Sequence, residues 1–189
     1  MSTQLLPGDV FMTRGHSFIS RAIRVFTRTI GEKRTKVNHV GIIVSSGDYQ
    51  TSKIVEALIK VREVRLWYGY GPPRKDDVAI YRPTNLTPEE IDIVVAEARE
   101  QVGKTYGFLK ILGHFLDWLL LGAYIFRRLT QNGDYPICSW LVAHAFDKAG
   151  KRFGVHPGAA TPDDIWDFVV DNPDKYKRIR PLTRLWQAT

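Results

Sequence analysis

One cysteine stands in 189 residues, and that scarcity excludes a disulfide framework and any zinc site built on several thiolates. Long apolar runs are missing too. The stretch 105–129, TYGFLKILGHFLDWLLLGAYIFRRL, is broken by Lys110, His114 and Asp117. Its uninterrupted part, Trp118 to Phe126, falls far short of the ~20 residues a membrane-spanning helix needs. A buried or groove-lining helical hairpin is expected there, with an interfacial membrane contact as the alternative. The opening MSTQLLPGDVFMTRGHSF lacks the basic start and continuous apolar stretch of an export signal. The expected compartment is therefore the cytoplasm, with a peripheral membrane location as the alternative. No repeat, low-complexity tract or linker divides the chain. It reads as a single domain, 1–189, with an apolar helical insertion at about 105–130.

What is present suits a globular chain: 44% apolar and 25% charged residues, enough for one domain with a real core. The net charge of +7 gathers at two places, residues 14–36 and a tail carrying Lys175, Lys177, Arg178, Arg180 and Arg184. Such clusters meet an anionic membrane surface, an acidic cell-wall polymer or nucleic acid, or simply form a solvated basic face. The aromatics do not interleave with the basic residues and no nucleic-acid motif occurs, which disfavours nucleic acid.

The pattern along the chain is α+β. LLPGDVFMT reads as a turn and a short strand, and Ser17 as the cap of a helix with Ile19, Ala22, Ile23 and Phe26 on one face. His39-Val40-Gly41-Ile42-Ile43-Val44 is apolar at nearly every position, as a strand covered on both faces would be. The turn at Ser45-Asp48 leads to Lys53–Val61, its antiparallel partner, and after a Gly/Pro-rich loop Val78–Arg82 makes another strand. Thr87-Pro88-Glu89-Glu90 opens a helix with a Thr cap, Pro in the first turn and Glu at the third position. A second helix follows Cys138, its Val142, Ala145, Phe146 and Ala149 in one stripe and Gly150 at its stop. Thr161-Pro162-Asp163-Asp164 opens a short final helix.

The chemistry centres on Cys138, which is a buried small hydrophobe, a surface thiol or a nucleophile. Tyr135-Pro136-Ile137-Cys138 sets the thiol after a proline-containing turn at a helix start. Free N–H groups there favour thiolate, and the same amides can hold an oxyanion. A nucleophilic thiol needs a base. Of the five histidines, His144 lies on the same helix as Cys138 but too far round and along it for contact. His16 and His156 fall in loops and His114 in a helix. His39, at the start of a buried strand, is the best candidate, against a satisfied structural histidine. Glu56, between Val55 and Ala57 in the neighbouring strand, is costly to desolvate without a partner, and His39 would supply one. The alternative is an exposed edge-strand carboxylate.

Five segments in order carry a family resemblance: Leu6-x-Gly8-Asp9-Val10, Asn38-His39-Val40-Gly41-Ile42, Val55-Glu56-Ala57, Cys138-Ser139-x-Leu141-Val142 and Thr161-Pro162-Asp163-Asp164-Ile165. Together they resemble the circularly permuted branch of the NlpC-type papain-like cysteine peptidases, the YiiX/YaeF-like group, in which His precedes Cys. The resemblance spans about Leu6 to Phe168. It implies a papain-like fold: a small antiparallel barrel-like sheet packed against helices, including the Cys-bearing one. It also implies Cys138 as nucleophile, His39 as general base and Glu56 as the residue orienting His39; no metal and no cofactor are expected. Tyr106 and Ser139 would be substrate-binding, though a packed aromatic is the other role for Tyr106. The long apolar insertion between Tyr106 and Cys138 departs from the pattern and leaves the groove, and so the substrate, open.

Three functions follow as expectations. The first is a cysteine hydrolase cleaving an amide bond of a peptide or cell-wall peptide through an acyl-enzyme. The second is a lipid acyl hydrolase or acyltransferase working at a membrane surface with the same triad. The third is a non-enzymatic binding module.

Overall fold

A computed structural model describes residues 3–15, 36–58, 60–104 and 138–186. The expected helix after Ser17, the apolar insertion and Tyr106 lie outside the described residues. Among them are six strands: β1 (Val10–Arg14), β2 (His39–Ile43), β3 (Lys53–Ala57), β4 (Val61–Arg65), β5 (Asp77–Pro83) and β6 (Tyr176–Arg184). The helices are α1 (Leu66–Tyr70), α2 (Pro88–Glu100), α3 (Cys138–Lys148) and α4 (Pro162–Asp171), with a 3-10 turn at Pro157–Ala159.

All six strands join one sheet in the order β4-β3-β2-β1-β5-β6, and every neighbouring pair is antiparallel. The period of two along each strand sorts its residues onto two faces. Val10, Met12, Val40, Ile42, Val55, Ala57, Ala79 and Tyr81 face the larger core, shared with residues of α2, α3 and α4. Phe11, Ile43, Ile54, Val78 and Ile80 face a smaller core closed by Leu66 and Tyr70 of α1 and by Leu185. Burial on both faces is why the strand from His39 shows no polar alternation.

The architecture is α+β, as expected, but the sheet is open rather than barrel-like, with β4 and β6 as its edges. Both edges resist further pairing. β4 interleaves Arg62, Glu63 and Arg65 with its valines, and β6 carries exposed Lys177 and Arg178 together with Pro181. The expected single strand Lys53–Val61 is in fact a hairpin: Ala57 pairs with Val61, and Leu58 N–H donates to the Lys60 carbonyl across the turn.

Local signals fix the helix starts. Thr87 and Glu90 form a reciprocal capping box at α2, and Thr161 and Asp164 do the same at α4, each cap being worth about 1 kcal/mol. Gly150, at φ 72°, turns the chain out of α3 in the left-handed region that a side chain resists. In α3, Leu141, Val142, Ala145 and Phe146 are buried against the sheet, which fixes how its first residue meets the strands.

Gly41 is required by close approach. A Cβ there would lie 2.4 and 2.6 Å from ring carbons of Phe11 and 2.8 Å from the Val55 carbonyl oxygen. The backbone oxygen cannot swing aside, so Gly41→Ala is expected to cost about 1–3 kcal/mol, the usual range for overpacking. Urea unfolding measures this, and a variant as stable as wild type would contradict the packing.

Candidate active site

His39 opens β2, so His39, Gly41 and Ile43 share a face. Gly41 pairs with Glu56 across the β2–β3 ladder, which makes Glu56 the diagonal neighbour of His39 on that face, within reach of two long side chains. His39 Nε2 and Glu56 Oε2 are 2.9 Å apart, and the carboxylate has no exposed surface. The next hairpin brings Arg62 directly opposite Glu56. Its Nε and Nη2 donate to Oε1 at 3.0 and 2.7 Å. From α1 the Tyr70 hydroxyl donates to Oε2. One carboxylate oxygen thus serves Arg62, and the other serves His39 and Tyr70.

An aromatic ring closes this arrangement. Phe11 lies opposite Gly41 in β1 and fills the space the glycine leaves. It meets the His39 ring edge-on, with centroids 6.1 Å apart, and tilts against Tyr70 at 5.5 Å. The sequence Phe11–Gly41 across two strands therefore fixes the imidazole plane by packing as well as by hydrogen bonding.

Cys138 is the first residue of α3 and is buried. It lies close enough to His39 for the two to interact by charge and hydrogen bonding. With Nε2 given to Glu56, Nδ1 is the nitrogen left for the sulfur. The imidazole therefore bridges a carboxylate and a thiol, and the thiol sits where a helix terminus favours negative charge.

The electrostatics follow from these contacts. Burial opposes a charge on His39, but Cys138 and then Glu56, each by charge and by hydrogen bond, outweigh it and raise its pKa to about 10. Burial alone would push the Glu56 carboxyl up. The hydrogen bond and charge of His39, with the donors Tyr70 and Arg62, instead bring it down to about 2. Burial, then the Glu56 charge, drive the Tyr70 hydroxyl well above its usual range, so it stays protonated and donates. These groups together favour imidazolium against carboxylate at neutral pH.

Three of the residues expected at the site, Cys138, His39 and Glu56, are thus brought into one hydrogen-bonded line. Ser139, expected to bind substrate, is fully buried and its hydroxyl donates to the Ala160 carbonyl at 2.6 Å. Its side chain ties the head of α3 to the segment before α4. Tyr106 lies outside the described residues. His144 stacks on Trp140 at 4.4 Å and faces Glu97 at 3.7 Å. His156 accepts from the Gly158 N–H to cap the 3-10 turn.

Other parts of the five segments are structural. Asp9 accepts from both Arg82 and the Leu6 N–H and so folds the turn before β1. Asn38 accepts from the Gly15 N–H at 2.7 Å, fixing the chain at the entry to β2. Asp163 is buried and accepts from the Lys36 N–H at 3.1 Å. Two residues at the site were not anticipated from sequence, Arg62 and Tyr70. Arg62 becomes visible once the hairpin turn at Leu58–Lys60 is known, because its register then opposes Glu56. Tyr70 sits in a Trp-Tyr-Gly-Tyr-Gly stretch whose glycines read as loop.

No family model matches the chain, and no curated protein matches it. Among solved structures it is similar to the crystal structure of metalloprotein yiiX from Escherichia coli O157:H7, DUF1105. The TM-score is 0.54 at 18% identity, over 95% of this chain and 86% of that one. The likeness shows a YiiX-like fold and nothing finer.

That neighbour is described as a metalloprotein. Among the described residues no three His, Cys, Asp or Glu side chains converge to hold an ion. Both oxygens of Glu56 are spent on Arg62, His39 and Tyr70, and the Arg62 cation lies against one of them. The site residues do not fit a metal. Among the described residues no helix is long and apolar enough to cross a membrane.

The pKa shifts set a pH window for stability. The folded pKa of Glu56 is depressed from 4.5 to about 2, so its contribution is present above about 4.5 and lost as pH falls through about 2. His39 is raised from 6.5 to about 10, so its contribution is complete below about 6.5 and lost as pH rises through about 10. Glu56→Gln breaks a buried pair and is expected to cost about 3–5 kcal/mol near neutrality. It should also flatten both slopes in urea unfolding measured across pH. Unchanged stability and slopes in this variant would contradict the buried ion pair.

Proposed function

We propose that the protein is a cysteine hydrolase that cleaves an amide bond in a peptide or cell-wall peptide. Cys138 is the nucleophile, His39 the acid and base, and Glu56 the group that holds His39. The observation that carries this reading is the hydrogen-bonded line from a fully buried carboxylate, through one imidazole, to a thiol at the head of a helix. A structural histidine needs no thiol on its second nitrogen, and a merely packed cysteine needs no histidine.

The chemistry runs in two halves. The Cys138 thiolate attacks the carbonyl carbon and forms a C–S bond, while the carbonyl electrons move onto oxygen. Backbone amides at the start of α3 are the donors suited to that oxyanion. As the intermediate collapses, the C–N bond breaks and the His39 imidazolium gives its proton to the leaving amine. A thioester remains, with His39 neutral. His39 then takes a proton from water as the hydroxide oxygen adds to the thioester carbon. Collapse breaks the C–S bond, releases the carboxylic acid and restores thiolate beside imidazolium. Glu56 stays ionised throughout and stabilises His39 whenever it is charged.

A lipid acyl ester or amide is the second substrate reading. It is favoured by Lys177 and Arg178, which lie exposed on the edge strand β6 and suit an anionic surface. The same thiol would attack the acyl carbonyl. Salt-sensitive binding to phosphatidylserine vesicles, with lipid turnover lost in Cys138→Ala, would select this reading. Turnover of wall peptides without vesicle binding would select the first.

The mechanism itself is tested by the rate of iodoacetamide labelling of Cys138 against pH. Wild type should label well below the ~8.5 midpoint of a free thiol. His39→Ala should move the midpoint up toward that value. A common, unshifted profile in both proteins would remove the nucleophile.

A further inference from the structure

We propose that Arg62 and Tyr70 are positioning residues that keep Glu56 ionised and turned toward His39, an assignment that rests on the reading of Cys138 and His39 just given. The geometry divides the carboxylate between them. Both donors of the Arg62 guanidinium go to Oε1, at 3.0 and 2.7 Å. The two donors converge on one oxygen and anchor Oε1 with a charge-assisted pair of hydrogen bonds, which leaves Oε2 to the other partners. Oε2 is thereby aimed at His39 Nε2, at 2.9 Å. Tyr70 of α1 adds a second donor to that oxygen, and Phe11 packs against both the His39 and the Tyr70 rings.

Charge balance gives the arrangement its purpose. A carboxylate with no exposed surface tends to take up a proton. If Glu56 did so, His39 would lose the counter-charge on Nε2, and the imidazolium that stabilises the Cys138 thiolate would weaken. The groups facing Glu56 are His39 from β2, Arg62 from β4 and Tyr70 from α1. Cys138 acts through His39 from the head of α3, and Asp76, in the loop after α1, bears on Tyr70. Arg62 is the cation among them whose charge does not depend on pH. It lies in an edge strand with its side chain 37% exposed, so its stem reaches water while its donors reach the buried oxygen. A lysine there would keep the charge and lose the paired N–H groups that converge on Oε1.

The test is the acid limb of the Cys138 alkylation profile in wild type, Arg62→Met, Arg62→Lys, Tyr70→Phe and His39→Ala. Without Arg62, protonation of Glu56 becomes the event that ends thiolate formation on the acid side. The limb in Arg62→Met should move up by at least about one pH unit, the size expected from losing an adjacent opposite charge. Arg62→Lys and Tyr70→Phe should move it the same way by less. A purely structural role would lower the labelled fraction or the melting point without moving the midpoint. Limbs of Arg62→Lys and Tyr70→Phe that superimpose on wild type, while His39→Ala differs, would overturn the positioning role and leave the nucleophile intact. These two variants retain most of the side-chain volume and carry the test if Arg62→Met does not fold. A His39→Ala limb that also superimposes would overturn the nucleophile and this inference with it.

Discussion

A carboxylate closed off from water survives as an anion only if its neighbours replace the lost hydration. At Glu56 that replacement is complete: two N–H groups of Arg62, the hydroxyl of Tyr70 and the imidazole of His39 occupy its two oxygens. The desolvation penalty for such an ion is several kcal/mol, and no single partner of these would offset it. The register of β2, β3 and β4 and the short helix α1 together bring these partners to Glu56. His39 is the one partner that also interacts with Cys138. A structural requirement of the sheet and a chemical requirement of the thiol are met by the same imidazole.

The sheet and the helices contribute different things to this site. The sheet supplies precision, since its ladder spacing fixes which side chains face each other and Gly41 lets Phe11 come close enough to hold the ring. The helix supplies a terminus. α3 is anchored by Leu141, Val142 and Phe146 in the larger core, on the opposite face from Glu56. Cys138, the first residue of α3, interacts with His39, the first residue of β2. Ser139, turned inward onto Ala160, braces that head.

Much of this was legible in the sequence because it rests on local rules. The two Thr-Pro helix starts, the two-faced burial of the strand from His39 and the glycine after α3 each follow from neighbours in the chain. Cys138, His39 and Glu56 were legible as individuals, each being a residue type that its pattern made unusual. The hairpin at Leu58–Lys60 was not, because its turn contains no Gly, Pro or Asn and continues an apolar run. Missing that turn hid Arg62 as well, since its meaning comes from register alone. Strand β6 was masked by its own charges. An edge strand facing water has no need of apolar alternation, so its lysines and arginines read as a basic cluster. The barrel-like closure implied by the family resemblance gave way to an open sheet, since both edges are charged against pairing.

If Cys138 is the nucleophile we propose, His39 is charged in the resting protein because it lies between an ionised Glu56 and an ionised Cys138. Nitrogen NMR of the His39 ring observes that charge directly, and the single cysteine allows its partner to be removed chemically. An imidazolium signal is expected at neutral pH, persisting well into the alkaline range and losing much of that range when Cys138 is blocked by methylthiolation. A neutral His39 at pH 7, indifferent to the state of the sulfur, would contradict it.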